Sequence, residues 1–251
     1  MDIFEQIILF IVSLTANLFS AFAGGGAGLL QLPALIFLGL PFAVALATHK
    51  LASVALGIGA TIRHLKTGIP DKKFAAYILM TGLPGVIIGA NVILWIPGRN
   101  AEVALGILTL GLGIYSGLQK SLGQQHVEKN RDSKTLFSGG LVLFLIGTLN
   151  GSLASGTGLF VTIWLIRWFG LDYKQAVAYT LILVGMFWNG IGALTLAISG
   201  EIRWDWIPML IIGSLLGGYL GAHMAIMYGN KWIKRMFEAV SILVGSKLII
   251  G

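Results

Sequence analysis

Ten apolar segments, at roughly 7 to 22, 29 to 39, 43 to 62, 74 to 95, 101 to 119, 137 to 149, 159 to 169, 173 to 198, 205 to 227 and 232 to 250, follow one another with only short charged stretches between them. In a bilayer every backbone N–H and C=O must be paired within the chain, so such a sequence folds either as transmembrane helices or as a closed barrel. No ten-residue block alternates apolar and polar residues with period two, which removes the barrel. The expected fold is an all-α polytopic membrane protein. The chain is 56% hydrophobic and 11% charged, with a mean hydropathy of +0.87, whereas soluble domains carry about 25% charged residues.

Two segments, 29 to 39 and 159 to 169, are short. Their eleven residues make about 16 Å of helix against a hydrocarbon core about 30 Å thick. Each follows a glycine-rich break, GGGAG at 24 to 28 and ASGTG at 154 to 158. Each half of the chain therefore reads as a broken hairpin with a half-length helix plus three transmembrane helices, the first repeat spanning 1–119 and the second 137–251. The polar stretch at 120–136 is expected to be a cytoplasmic linker with no fold of its own. The halves also resemble each other. GLPFAVALA at 39 to 47 aligns with GLDYKQAVA at 170 to 178, GVIIGA at 85 to 90 with GGYLGA at 217 to 222, and Gly68 falls opposite Gly200. An odd number of crossings per half makes them two inverted repeats. With the hairpins folded back, 13 of the 17 basic residues share one face. That asymmetry places the face in the cytoplasm and both termini on the outer side of the membrane. The opening MDIFEQ has two acids and no base, so it is expected to stay in the mature chain.

Within the second long segment, ALATHKL at 45 to 51 interrupts the apolar run with Thr48, His49 and Lys50. Counted from Pro41 as the helix opening, Lys50 lies about 13 Å along the axis, near the midplane. A charge there costs roughly 2.5 to 3.5 kcal/mol, so it is paired, hydrated or functional. The helices after GGGAG and ASGTG start with backbone N–H groups and the positive end of a dipole, and glycine lets a ligand approach them closely. Two helix N-termini and one lysine point to an anion. The candidate binding residues are Gly24, Gly25, Gly26, Gly28, Gln31, Thr48, His49, Lys50, Asn150, Ser155, Gly156, Thr157 and Gly158. Against this stands close helix packing, which is the reading taken for Gly85, Gly89, Gly217 and Gly221. Either His49 or Tyr179, its approximate counterpart in the second half, is a candidate to face the pocket. Glu238 is a candidate for proton coupling, and His223, Trp204 and Trp206 read as interfacial anchors.

Interrupted segments at matching positions of an inverted repeat point to a secondary transporter with its site near mid-membrane. An anion channel on the same scaffold is the alternative. An enzyme is not expected: the chain has no cysteine, no HExxH and no GxSxG, its four histidines are scattered, and no nucleophile, base and orienting group converge. No metal or cofactor and no nucleic-acid partner are expected. The partners are a small anionic substrate and the bilayer, with a homodimer left open.

GGGAGLLQLPALIFLGLP at 24 to 41, ALATHKLAS at 45 to 53, GIPD at 68 to 71, GSLASGTGLF at 151 to 160 and GLDYKQAVA at 170 to 178 together resemble the TauE/SafE sulfite exporter family, also called toluene-sulfonate uptake permeases. The likeness covers nearly the whole chain. It implies an inner-membrane transporter of small sulfur-containing anions such as sulfite or sulfonates. Three positions depart from that family's pattern: His49 stands where an asparagine is expected, Asn150 where many members have an aspartate, and Leu181 where a lysine is often found. Lys50 is thereby the one deep cation.

Overall fold

The structure, a computed structural model, describes residues 3–66, 71–92, 98–153, 156–199 and 201–250. It is helical throughout, and no strand occurs among the described residues. In chain order the helices are α1 (Ile3–Ala23), α2 (Gly28–Phe37), α3 (Phe42–His64), α4 (Lys72–Val92), α5 (Gly98–Leu118), α6 (Ser133–Leu153) and α7 (Thr157–Phe169). They continue as α8 (Tyr173–Tyr179), a π-helical segment (Thr180–Trp188), α9 (Asn189–Ser199), α10 (Ile207–Tyr228) and α11 (Asn230–Ile250). Among the described residues six stretches are long and apolar enough to cross a membrane: α1, α3, α4, α6, α10 and the run Tyr173–Ile198. The protein is a multi-pass helical membrane protein, as its sequence predicts. Ser155, Gly68 and Gly200 lie outside the described residues, as does most of the GIPD motif.

Local chemistry sets the two breaks. Gly24, Gly25 and Gly26 take φ values of 88°, 143° and 100°, a run that side-chain-bearing residues rarely adopt, and the chain reverses there into the ten-residue α2. Gly156, at φ 74°, precedes the thirteen-residue α7. Pro41 stands just before α3 with its ring outside the helix. Asp172 caps α8, its carboxylate accepting from the Gln175 N–H at 2.8 Å. Asp132 performs the same service before α6. Bonds from the Thr135 hydroxyl, and then its N–H, hold the Asp132 carboxyl below the usual carboxylate range.

The helices pack in matched pairs. α1 lies along α10 and α6 along α4, while α5 pairs with α11. In the first pair a Cβ at Gly217 or Gly221 would strike the Leu14 or Leu18 carbonyl. In the second, a Cβ at Gly85 or Gly89 would strike the Phe144 or Thr148 carbonyl. These four glycines are thus the small residues that bring helix backbones together. The loops match as well: the Thr48 hydroxyl accepts from the Arg203 N–H at 3.0 Å, and the Tyr179 hydroxyl from the Asp71 N–H at 2.9 Å.

The linker is more ordered than the sequence predicts. It has no long helix, but it is pinned to the second half by backbone bonds from Val127 to Gly170 at 2.8 Å, from Lys129 to Phe169 at 3.2 Å and from Tyr173 to Gly123 at 2.9 Å. The Arg131 guanidinium sits 3.8 Å from the centroid of the Phe74 ring and 5.3 Å from that of Phe169, bridging α4 and α7. Polar composition hid this, because the bonds join backbone groups and one side chain to partners distant in sequence. Trp206 also departs from expectation: at 7% exposure it is a core residue, whereas Trp204 is 66% exposed.

If the glycine contacts hold the pairs together, Gly89→Val and Gly221→Val should each destabilise the detergent-solubilised protein by about 1–3 kcal/mol. Gly111, whose added Cβ would meet nothing within 4 Å, supplies the control. Gly111→Ala should match or exceed the wild-type melting temperature, because alanine is the better helix former.

Candidate functional site

The tips of the two hairpins meet inside the bundle. A Cβ on Gly25 would come within 2.5 Å of the Gly158 carbonyl carbon and 2.6 Å of the Leu159 nitrogen, so the contact is backbone to backbone. The Thr162 hydroxyl donates to the Gly24 carbonyl at 2.7 Å and lies 2.9 Å from Thr180 Oγ1. Beside this contact is a cavity of about 30 Å³, with room for about two waters. Its wall takes Ser20, Gly25, Gly26, Ala27 and Gly28 from the first tip and His49, Ser53 and Leu56 from α3. Asn150, Thr157 and Gly158 come from the second tip, and Thr180, Leu181, Val184, Gly185 and Asn189 from the π-helical segment and the start of α9. Every one of these residues but Asn189 is buried. The widened turns of a π-helix recur at functional sites, and here they form one side of the cavity.

Lys50 is fully buried, yet it stands behind the wall rather than in it. Its Nζ donates to the Asn150 carbonyl at 2.7 Å and reaches Asn150 Oδ1 at 3.3 Å. Among the described residues no carboxylate pairs with it. An ammonium can only donate, so the side-chain oxygen of Asn150 must face it, and Asn150 Nδ2 then donates to Thr157 Oγ1 at 2.8 Å. That bond uses an acceptor site of the Thr157 hydroxyl and leaves its proton for the cavity. The lysine thus orients two wall residues in sequence. Gly192 makes room for it, since a Cβ there would lie 3.0 Å from Nζ.

Of the residues expected at the site, Gly25, Gly26, Gly28, His49, Asn150, Thr157 and Gly158 line the cavity. Gly156 is the residue just before α7. Gly24, Gln31, Thr48 and Lys50 are outside the wall: Gly24 packs against Val177 and Thr162, Gln31 bonds His49 from behind at 2.8 Å, and Thr48 holds the Arg203 loop. Tyr179 likewise holds Asp71 and does not face the cavity, so His49 does. Ser20, Ser53, Thr180 and Asn189 were not expected. Thr180 was within reach of the sequence, because it follows His49 by the same 131 residues that separate Gly39 from Gly170. Glu238 is far from this wall in its contacts: it pairs with Lys234 and accepts from the Ser116 hydroxyl at 3.0 Å. His223 accepts from Arg63 Nε at 2.9 Å, tying α10 to α3.

Among the described residues the wall therefore offers a threonine proton, the first turn of α7 and one imidazole, with no acid. Dipoles and donors of this kind, backed by a buried ammonium, suit a small anion.

The family described as "Sulfite exporter TauE/SafE" matches residues 9–248. A "Probable membrane transporter protein" of Haemophilus influenzae is 30% identical over 243 residues, covering 96% of this chain and 93% of that protein. The "Probable membrane transporter protein YfcA" of Escherichia coli is 29% identical over 248 residues, covering 96% and 88%. The "Probable membrane transporter protein YunE" of Bacillus subtilis is 24% identical over 265 residues, covering 97% of each. No solved structure matches the chain.

Gly25→Ala tests the tip contact. It combines an unfavourable φ with a clash into backbone that cannot move aside, and it should lower the melting temperature by roughly 5 °C or more, at about 2–4 °C per kcal/mol. An unchanged melting curve would show that the tips do not touch as described.

Proposed function

The chain belongs to the sulfite exporter TauE/SafE family, and from that membership we propose that it is a secondary transporter of a small anion, sulfite or an organosulfonate, working by alternating access between two inverted repeats. The observation that carries this reading is the cavity where one glycine tip from each half meets the other. A site built equally from both halves changes its exposure when one half rocks against the other. The matched pairs α1 with α10 and α6 with α4 support the two-fold relation, as do the paired loop bonds at Thr48 and Tyr179. A cavity whose wall residues, Asn189 apart, are buried fits a carrier better than an open anion channel.

The anion would be held by the Thr157 hydroxyl and by backbone N–H groups at the tips. Lys50 acts through Asn150 and supplies positive potential from behind the wall, which is stronger in a low-dielectric interior than in water. The basic face, which carries the linker, is assigned to the cytoplasm of an inner-membrane protein by the positive-inside rule. Three separate contacts join the segments of that face: Arg131 on Phe74, Asn230 Nδ2 to the Gln124 carbonyl, and Lys174 N–H to Asn230 Oδ1.

Purified protein in liposomes should take up radiolabelled sulfite saturably, and unlabelled sulfite inside should accelerate the uptake by exchange. Lys50→Met, similar in length and without charge, should weaken apparent sulfite affinity at least about tenfold, equivalent to about 1.4 kcal/mol. A melting curve confirms that the variant is folded. Absence of uptake for sulfite, taurine and sulfoacetate alike would end the proposal, and unitary currents in planar bilayers would replace the carrier with a channel.

A further inference from the structure

Behind the cavity runs a chain of buried hydrogen bonds whose direction can be worked out from its far end. The Ser13 hydroxyl lies 2.7 Å from the Leu210 carbonyl, which can only accept, so the single Ser13 proton is committed there. Asn17 Nδ2 donates to the Ser13 carbonyl at 2.7 Å and to Ser214 Oγ at 3.0 Å. The Ser214 proton is then free to go to Ser13 Oγ, 2.9 Å away. Ser13 Oγ has one acceptor site left, and Gln31 Nε2 fills it at 2.9 Å. This fixes the Gln31 amide with Oε1 toward His49 Nδ1, at 2.8 Å. An amide oxygen cannot donate, so Nδ1 carries the hydrogen. In the neutral ring, Nε2 is then bare.

Gln31 is not part of the cavity wall, whereas His49 and Ser53 are. The Nδ1 edge of the ring therefore points away from the cavity and the Nε2 edge toward it. The one protein group near Nε2 among the described residues is Ser53 Oγ, 3.3 Å from Nε2 and 3.5 Å from Nδ1. An oxygen almost equidistant from both ring nitrogens lies off the lone-pair axis of Nε2 and leaves that axis open. Among the described residues His49 is the single titratable residue in the wall, and the one charged group beside it is Lys50, the next residue on α3.

We infer that His49 Nε2 is a hydrogen-bond acceptor built into an otherwise donating anion site, so the anion it takes carries a proton of its own. The ligand class is a monoprotonated oxyanion, X–O–H beside X–O⁻. Its charged oxygens face Thr157 and the tip backbone, and its hydroxyl faces Nε2. This rests on the anion-transport reading above and narrows it: hydrogen sulfite is the species bound, and both the sulfite dianion and organosulfonates, which carry no X–O–H, are disfavoured. A fully deprotonated oxyanion would set a lone pair against the Nε2 lone pair, and sites built to pair a ligand hydroxyl discriminate strongly against analogues lacking it.

The test is calorimetric binding of sulfite to the detergent-solubilised full chain from about pH 5.5 to about 8.5, with methanesulfonate and sulfate as comparators. Apparent affinity should fall as hydrogen sulfite gives way to the dianion. At the acid end, methanesulfonate, which has the same charge and no hydroxyl, should bind at least about a hundredfold more weakly than hydrogen sulfite. His49→Phe should bring the two within about tenfold of each other. Should that variant fail to fold, Gln31→Leu releases Nδ1 and lets the tautomer invert, with the same loss of discrimination. Equal binding of methanesulfonate by the wild type, or affinity that rises with pH, overturns the inference.

A ¹⁵N spectrum of histidine-labelled protein reads the tautomer independently of any ligand. An unprotonated Nε2 at His49 is expected, and Nε2–H overturns the inference whichever anion binds. If no anion binds while Nε2 is unprotonated, the transport reading fails and the acceptor assignment stands.

Discussion

Everything at the centre of this protein depends on two glycine tips touching backbone to backbone. Gly25 against Gly158 removes the space that side chains would otherwise fill, and the contact lies where two helices begin. Helix starts carry unpaired N–H groups that must find partners or a ligand, and in a bilayer interior water does not reliably provide them. The tip contact thus both closes the bundle and leaves donors beside a cavity. Half-length helices follow from the same requirement. A full crossing at α2 or α7 would carry its first turn past the middle of the membrane.

Around that centre, polar groups are arranged in chains with a defined direction. Lys50 sets the Asn150 amide, which sets Thr157. The Leu210 carbonyl sets Ser13, then Gln31, then His49. Each chain begins at a group that can play only one role, an ammonium or a backbone carbonyl, and ends at the cavity wall. Low dielectric makes such chains strong when complete and costly when broken. A site of neutral side chains can therefore hold a definite pattern of donors and acceptors. The one charge nearby, Lys50, acts on the wall at second hand through Asn150.

Outside the centre, the protein is held by interfaces of two kinds. The pairs α1 with α10 and α4 with α6 meet through glycines and helix carbonyls, the first pair also through the bonds of Ser13 and Asn17 to Leu210 and Ser214. The face that carries the linker is joined by aromatic and cationic contacts, with Arg131 between Phe74 and Phe169. The cation between two rings ties both halves together at one edge.

The sequence by itself determined that the chain is a helical membrane protein, where most of its helices lie and which glycines break them. These follow from local hydrophobicity and from backbone conformations that glycine alone tolerates. It also marked His49, Asn150, Thr157 and most of the tip glycines as candidates, because polar residues and glycine clusters are conspicuous in apolar surroundings. It did not distinguish residues in the wall from those behind it. Lys50, Gln31 and Thr48 stand out in the sequence as much as His49 does, and which of them meets the cavity is decided by helix rotation against neighbours a hundred or more residues away. Ser20, Ser53 and Asn189 carry small polar groups common in any membrane helix, so nothing local singled them out, and Thr180 was marked only by its repeat offset from His49. The widening of Thr180–Trp188 into a π-helix, the ordering of the linker and the tautomer of His49 were likewise decided only in the tertiary structure. Each depends on hydrogen-bond partners brought together from separate helices, and such pairings leave no periodicity in the chain to read.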